Sequence, residues 1–267
     1  MATVNVTNLS DFVAAVAVAG DTVVCPEGAD WDANGTYPDG YSEDFIIKAN
    51  IEGNGTTIRN LHLYLCFYNP DTNHVTIRNL NIIDLIGSRA TSAGAFGLFF
   101  GYFHLVGCKI SAVLNSNYCR IIQWHGGGNG YAADKCSFVI DASGGFDTIM
   151  YGDVRFCRFE LYLPNSDWTP YYAAGAKCYE SELAIFAPNA SYIYSNQFVG
   201  CIIHGEMPNL YDRTNSGQWP GDMTLFSTDG LPNFNPYDPV HCVGVTDAQL
   251  RDPEYLRSIG FPIAIEG

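Results

Sequence analysis

Two glutamates, Glu160 and Glu182, are the main candidates for acid–base chemistry in this sequence. Their separation is close to the interval between Cys157 and Cys178, which belong to a recurring signal nearby, so the glutamates are predicted to stack on one face of successive repeats. A glycoside hydrolase needs two carboxyl groups about 5 to 9.5 Å apart across the scissile bond. Stacking would also raise the pKa of one carboxyl group, because like charges repel. The alternative is that loops carry the two side chains apart.

Aromatic residues supply the candidate binding positions. Tyr171 and Tyr172 follow the first glutamate and offer flat surfaces on which a sugar ring can stack. Trp124 and His125 precede a run of three glycines, and Tyr131 follows it, which predicts an exposed loop that binds a ligand or a partner. The competing interpretation is a plain turn between strands, which the frequency of glycine in turns favours.

Other chemistries lack their motifs. The sequence contains no H-x-x-x-H, H-E-x-x-H, C-x-x-C or G-x-S-x-G, and no Lys-Ser or Lys-Thr follows the glycine run as a phosphate loop requires. Asp141, Asp147 and Asp153 are evenly spaced at an interval that matches no repeat, so they are predicted to be solvated surface groups. We therefore predict no metal, no cofactor and no assigned catalytic residue.

Composition narrows the class of protein. The 267 residues include 13 Lys+Arg and 28 Asp+Glu, a net charge of −15 that argues against binding to nucleic acid phosphates. Hydrophobic residues make up 47%, and the 27 glycines, 17 tyrosines and 16 phenylalanines favour strands and turns over helices. The most apolar window, residues 93–107, is too short to cross a bilayer, so no membrane span is predicted. Residues 1–7 lack the pattern of a secretory signal, which predicts synthesis and retention in a cytoplasm.

Internal repetition predicts a solenoid. The segment at residues 57–63 (TIRNLHL) is echoed at 76–82 (TIRNLNI). Further along, cysteine takes a recurring position before an alternating apolar pair, at Cys108, Cys136 and Cys157, with Cys178 and Cys201 continuing the series. The gaps between these cysteines each accommodate three short strands, which is one coil of a β-solenoid. The cysteines are then predicted to stack as small buried residues about 4.8 Å apart, without disulfides or metal.

The two ends differ from the middle. Ser10-Asp11 is predicted to begin a short helix that plugs the first coil, and Thr246 is predicted to start a helix that ends near Ile259. The segment after residue 205 is rich in Pro, Gly, Asn and Asp. We predict an all-β, right-handed parallel β-helix over residues 1–205 with an N-terminal cap. Residues 206–267 are predicted to form a loop-rich C-terminal extension that caps the solenoid or attaches it.

Two stretches resemble known families. Residues 8–16 (NLSDFVAAV) with 20–24 (GDTVV), followed by 51–58 (IEGNGTTI), resemble the beginning of pectin-lyase-like right-handed parallel β-helix proteins. Residues 245–250 (VTDAQL) through 255–262 (YLRSIGFP) resemble the tails of solenoid proteins encoded by phages and prophages of gut bacteria. The fold resemblance covers most of residues 1–205, and this architecture hosts lyases, hydrolases, adhesins and virion parts.

The resemblance implies a structural virion protein of a tailed phage, such as a capsid decoration, fibre or tail-associated β-helix. Such a protein would bind other capsid or tail proteins, assemble as a homo-oligomer such as a trimer, and provide rigid display or adhesion. The alternative is a tailspike-like protein that binds or degrades a bacterial surface glycan, as a polysaccharide lyase or glycoside hydrolase. The lack of a coherent acidic, calcium-binding cluster favours the non-enzymatic class.

Overall fold

The structure is a computed structural model. It describes residues 2–34, 45–61, 65–67, 75–87, 96–114, 119–124, 130–142, 148–163, 178–188, 193–195, 198–206, 210–212, 223–233 and 241–261.

Short strands dominate the first half of the described chain. The elements are β1 (Thr3–Asn5), α1 (Leu9–Val16), β2 (Thr22–Val24), β3 (Asp30–Asp32), β4 (Phe45–Ile47), β5 (Asn50–Glu52), β6 (Thr57–Arg59), β7 (Leu65–Phe67), β8 (Val75–Arg78), β9 (Asn81–Gly87), β10 (Phe96–Gly101), β11 (Phe103–Val106), β12 (Lys109–Leu114) and β13 (Cys119–Trp124).

The second half continues in the same way and ends in two short helices. The elements are β14 (Ala133–Asp134), β15 (Ser137–Asp141), β16 (Thr148–Tyr151), β17 (Val154–Arg155), β18 (Arg158–Tyr162), β19 (Cys178–Tyr179), β20 (Glu182–Phe186), β21 (Ile193–Ser195), β22 (Phe198–Val199), β23 (Ile202–Glu206), β24 (Leu210–Asp212), β25 (Thr224–Ser227), β26 (Cys242–Val245), α2 (Asp247–Leu250) and α3 (Pro253–Ser258).

Strand pairing defines a parallel β-solenoid, which confirms the predicted fold class. Sheet A has the order β1-β2-β5-β8-β11-β14-β17-β19-β22, sheet B the order β26-β25-β23-β20-β18-β15-β12-β9-β6-β3, and sheet C the order β16-β13-β10-β7-β4. A separate pair joins β21 to β24. Neighbours in each sheet come from successive coils, because the chain visits the sheets in turn. Sheet B continues through β25 and β26, beyond residue 205.

Alternation within the strands fills the main apolar core of the solenoid. In β15 and β18 every second side chain points inward, and the rings of Phe138 and Phe159 stack with centroids 4.8 Å apart and planes 5° apart. Helix α1 caps the first coil through buried Phe12 and Val16, which confirms the predicted N-terminal helix. Its N-cap is Asn8, earlier than the predicted Ser10-Asp11. Asn8 has an extended backbone, and its side chain accepts a hydrogen bond from the Asp11 N–H.

At the corner between sheets A and B, small side chains stack in register. We call Cys108, Cys136, Cys157, Ser181, Cys201 and Thr224 the corner ladder. All six are buried, and each of three backbone N–H groups donates to the side chain in the next coil: Cys108 to Cys136 Sγ (3.4 Å), Cys157 to Ser181 Oγ (3.0 Å) and Cys201 to Thr224 Oγ1 (3.2 Å). Burial raises the pKa of Cys201 to about 12, so its thiol keeps its proton.

The corner ladder confirms the predicted stacking of four cysteines and corrects the fifth. Cys178 pairs with Val154 and Phe198 inside sheet A, and Ser181 takes the ladder position. The coil from Cys157 to Ser181 is longer than the coil from Cys136 to Cys157 that precedes it. The assumption that all coils have nearly the same length therefore assigned the ladder position to Cys178 instead of Ser181.

The echo of residues 57–63 at 76–82 is also wrong as a coil repeat. Thr57 begins β6 in sheet B, where its register partner is Asn81, whereas the second copy begins in β8 of sheet A. The two segments share a local feature only. Asn60 and Asn79 each follow their strand with a positive φ, 56° and 51°.

The residue before the ladder position adopts a left-handed conformation in successive coils. These residues, with φ between 46° and 76°, are Gly28, Gly55, Asn79, Gly107, Lys135, Phe156, Glu180 and Gly200. Glycine and asparagine are usual in this conformation because a Cβ atom crowds the following carbonyl oxygen. Lys135, Phe156 and Glu180 are the exceptions, and they occupy three consecutive coils.

The C-terminal helices lie against the solenoid wall. Leu250 of α2, together with Leu256 and Phe261, forms a second apolar cluster with Ile202 and Leu225 of sheet B. Thr246 caps α2 through a capping box with Gln249, which confirms the predicted helix start, although the helix divides in two at Arg251. No helix among the described residues is long and apolar enough to cross a membrane.

Replacing Lys135 with glycine is expected to stabilise the fold. A left-handed conformation costs a residue with a Cβ about 1 to 2 kcal/mol, while glycine loses about 0.5 to 1 kcal/mol of chain entropy on folding. We expect Lys135→Gly to raise the free energy of unfolding by about 0.5 to 1 kcal/mol in urea titrations. Gly107→Ala is the control for the opposite change. It should lower the free energy of unfolding, because the added Cβ would lie 2.7 Å from Asn79 Oδ1. A less stable Lys135→Gly protein would contradict the strain argument.

Candidate functional site

The two predicted glutamates lie on the outward side of sheet B, among other polar and aromatic side chains. We call Arg158, Glu160, Tyr162, Glu182, Phe186 and His204 the carboxylate face. They come from three adjacent strands, β18, β20 and β23, whose alternate residues point into the core. Strand alternation therefore fixes which side chains reach solvent, and parallel pairing brings residues from distant parts of the sequence together.

Glu160 and Glu182 share this face but do not stack on each other. The register partner of Glu182 is Arg158, and that of Glu160 is Ala184. The predicted direct stacking is wrong, because this coil is longer than the separation of the two glutamates and leaves them offset by two positions along the strand. The predicted like-charge pair is replaced by a stack of opposite charges.

Glu182 is held as an acceptor by two neighbours. His204 Nε2 lies 2.9 Å from its Oε1, and Arg158 Nε lies 3.5 Å from its Oε2. The hydrogen bond with His204, helped by the charges of Arg158 and His204, lowers the pKa of Glu182 although partial burial opposes this. The carboxylate is therefore ionised at neutral pH, which suits hydrogen-bond acceptance and is the opposite of what a general acid requires.

Glu160 is coupled to an aromatic pair. The Tyr162 hydroxyl donates a hydrogen bond to Glu160 Oε1, and this bond raises the pKa of Tyr162. The Tyr162 ring stacks on that of Phe186 in the next coil, with centroids 5.1 Å apart and planes 14° apart. Tyr162 is 42% exposed, so this aromatic platform faces solvent beside the Glu160 carboxylate. A flat ring next to acceptor oxygens is an arrangement that binds the apolar face and the hydroxyl groups of a sugar.

Tyr131, from the second predicted set, belongs to a packed cluster on the outward side of sheet A. The Arg155 guanidinium lies 4.5 Å from its ring centroid, and Tyr179 meets it edge-on at 5.7 Å. Arg155 also pairs with Asp134 at 2.8 Å, and burial raises the pKa of Tyr179 to about 12. These contacts hold Tyr131, which is half-buried, in the wall of the solenoid, and its role in binding stays a prediction.

Of the remaining predicted residues, one falls in a described strand, on a different sheet from this face. Trp124 ends β13 in sheet C. His125, Tyr171 and Tyr172 lie outside the described residues, so their roles stay predictions. Sequence reasoning missed Arg158, Phe186 and His204 as members of the site. The available signal was His204, which follows Glu182 at about one coil's distance in the sequence.

Among the described residues there is no group of three or more His, Cys, Asp or Glu side chains that could hold a metal ion. Comparison of the chain with protein-family models, curated proteins and solved structures finds no match. The pectin-lyase-like and phage resemblances therefore stay predictions, and the fold assignment rests on the strand pairing described above.

Removing the charge of Glu182 is expected to destabilise the protein at neutral pH. A hydrogen bond to a charged group contributes about 1.5 to 3 kcal/mol, reduced here by partial exposure, so Glu182→Gln should lower the free energy of unfolding by about 1 kcal/mol at pH 7. Because the folded pKa is lowered, this stabilisation is present above pH 4.5 and is lost as the pH falls below it.

Urea titrations of wild type and Glu182→Gln between pH 7 and pH 3 measure the effect. Glu206→Gln, in the same strand as His204, is the matched control, since the described contacts give Glu206 no ion pair. A stability difference between wild type and Glu182→Gln that is unchanged by pH would show that the carboxylate charge is not responsible.

Proposed function

We propose that this chain is a stiff, non-enzymatic adhesive protein that binds a glycan on its carboxylate face. The observation that carries the proposal is the aromatic platform of Tyr162 and Phe186, which adjoins the carboxylate of Glu160. Glu182 lies on the same face, four positions before Phe186 in its strand. Such a surface offers a stacking plane and hydrogen-bond acceptors for sugar hydroxyls. The target class is a bacterial surface polysaccharide with exposed hydroxyl groups.

The regular stacking of coils supports an adhesive role. Equivalent residues in adjacent strands of a parallel sheet lie about 4.8 Å apart, so the face offers a ladder of groups along a rigid axis. The hydrogen bonds of the corner ladder pair buried backbone N–H groups between coils, and so help to fix the outward groups of the face in position. An extended polymer can contact several coils without ordering a loop, which reduces the entropic cost of binding.

Binding fits this face better than hydrolysis. A glycosidase of either stereochemical class needs one carboxylic acid whose pKa is raised so that it can protonate the leaving group. The pKa of Glu182 moves in the other direction, and the Glu160 carboxylate accepts the hydroxyl of Tyr162. The enzymatic alternative, a polysaccharide lyase or glycoside hydrolase, therefore remains the second proposal.

Removing the platform is expected to weaken glycan binding without unfolding the protein. We expect Tyr162→Ala or Phe186→Ala to raise the Kd for a bound polysaccharide about three- to tenfold, since an aromatic stacking contact contributes about 0.5 to 1.5 kcal/mol. Titration calorimetry with purified bacterial surface polysaccharides measures the change. Val18→Ala is the matched control, because Val18 is 53% exposed and follows helix α1, away from the carboxylate face.

The same samples separate adhesion from catalysis. The adhesive proposal expects binding with no new reducing ends and no unsaturated product. Polysaccharide cleavage that is lost in Glu160→Gln or Glu182→Gln would establish the enzymatic alternative, and unchanged affinity in both aromatic variants would exclude this face as the binding site.

We further propose that this adhesive protein is carried on a phage particle, on the resemblance of residues 245–262 to phage-encoded tails. Quantitative mass spectrometry of purified particles, relative to the major capsid protein, tests it. We expect a copy number near that of the capsid protein for a head decoration, or a few copies per particle for a spike or fibre. Absence from the particles would overturn this part of the proposal.

A further inference from the structure

A groove of about 380 Å³ runs along the corner between sheets A and B, beside the carboxylate face. Its floor is the corner ladder from Cys108 to Ser181. Its rim carries Lys109, Lys135, Ser137, Phe156 and Arg158. We call this cavity the basic groove. Glu180 and Glu182 close its C-terminal end. The proposed glycan site makes no use of the two lysines at the other end.

Positive charge is concentrated here in an otherwise acidic protein. The chain carries a net charge of −15, yet three of its 13 Lys and Arg residues border this one groove. Lys109, Ser137 and Arg158 are successive register partners in sheet B, so the Ser137 hydroxyl is flanked by a cation in each neighbouring coil. Within the described residues, the ion pairs include neither Lys109 nor Lys135, and Arg158 has one contact, 3.5 Å to Glu182.

Backbone strain points to the same place. The left-handed corner position holds Gly107 in the first of the groove's four coils, but Lys135, Phe156 and Glu180 in the next three. A side chain at such a position is unfavourable, and strain of this kind clusters at functional sites. Phe156 is 42% exposed and lines the same groove as Lys135 and Arg158, so an apolar surface adjoins the cations.

We propose that the basic groove is a second ligand site, which binds an oxyanion carried on an apolar ring or chain. Lys109, Lys135 and Arg158 supply the charge, and the Ser137 hydroxyl donates a hydrogen bond. The apolar part of the ligand contacts Phe156. The carboxylates at the closed end repel the oxyanion and so orient the ligand along the groove. Phosphate and carboxylate share this chemistry, because Lys and Arg bind both.

The test is a titration of the full-length protein with small probes, in which NMR monitors the backbone amide signals of Lys135 and Ser137. Phenyl phosphate and benzoate are the anionic probes, and benzyl alcohol is the neutral one. We expect at least one anion to bind, with an affinity that falls as salt rises, and no saturable shift with benzyl alcohol. A response to phenyl phosphate alone identifies a phosphorylated ligand, and a response to benzoate alone identifies a carboxylate.

Substitutions separate a binding role from a structural one. We expect Lys109→Gln or Lys135→Gly to weaken the anion about two- to fivefold each, and the double variant more than about fourfold. We expect the wild type to bind phenyl phosphate more tightly than inorganic phosphate, because the phenyl ring contacts Phe156. Phe156→Gly should remove this preference. Lys48→Gln, at the N-terminal cap, is the matched control and should bind as wild type. Because Lys135→Gly is expected to stabilise the fold, weaker binding in that variant cannot be attributed to unfolding.

Two results would overturn the proposal. One is an anion affinity in the double variant equal to that of wild type, and the other is saturable binding of benzyl alcohol as tight as that of benzoate. Neither result bears on the carboxylate face, whose glycan binding is measured with different ligands and different variants.

Discussion

The corner between sheets A and B is the constraint on which the rest of the molecule depends. In coil after coil one residue turns left-handed and the next places a small buried side chain over its equivalent. At three of these turns the backbone N–H group donates to a thiol or hydroxyl in the adjacent coil, so that it is paired although it is buried. The turns and the parallel strand pairs together set the register between coils, and this register determines the neighbours of the outward side chains.

Register also decides the chemistry of the surface. Because Glu182 is level with Arg158 and within hydrogen-bond distance of His204, its charge is compensated and its pKa falls. A shift of two positions along the strand would have set Glu160 and Glu182 against each other and raised a pKa instead. The adhesive character proposed for this face, as opposed to an acid–base one, therefore follows from the length of a single coil.

Charged side chains of both signs lie along one edge of sheet B. Lys109, Lys135 and Arg158 line the corner groove, and Glu180 and Glu182 line its C-terminal end. In a protein with net charge −15, this concentration of cations is the feature on which the proposed anion site depends. Lys135 and Phe156 both have a left-handed backbone, so the fold carries backbone strain at two residues of this groove.

The sequence by itself determined the fold class, because alternating apolar residues, turn-forming glycines and regularly recurring small residues leave few alternatives to a β-solenoid. It also located α1 and the helix after Thr246, since capping signals are local. It could not determine register, because the loops between strands absorb different numbers of residues without disturbing the stacking. Ser181 in place of Cys178, and Arg158 in place of Glu160 beside Glu182, were decided only by the tertiary structure, in which inter-strand hydrogen bonds align strands regardless of loop length.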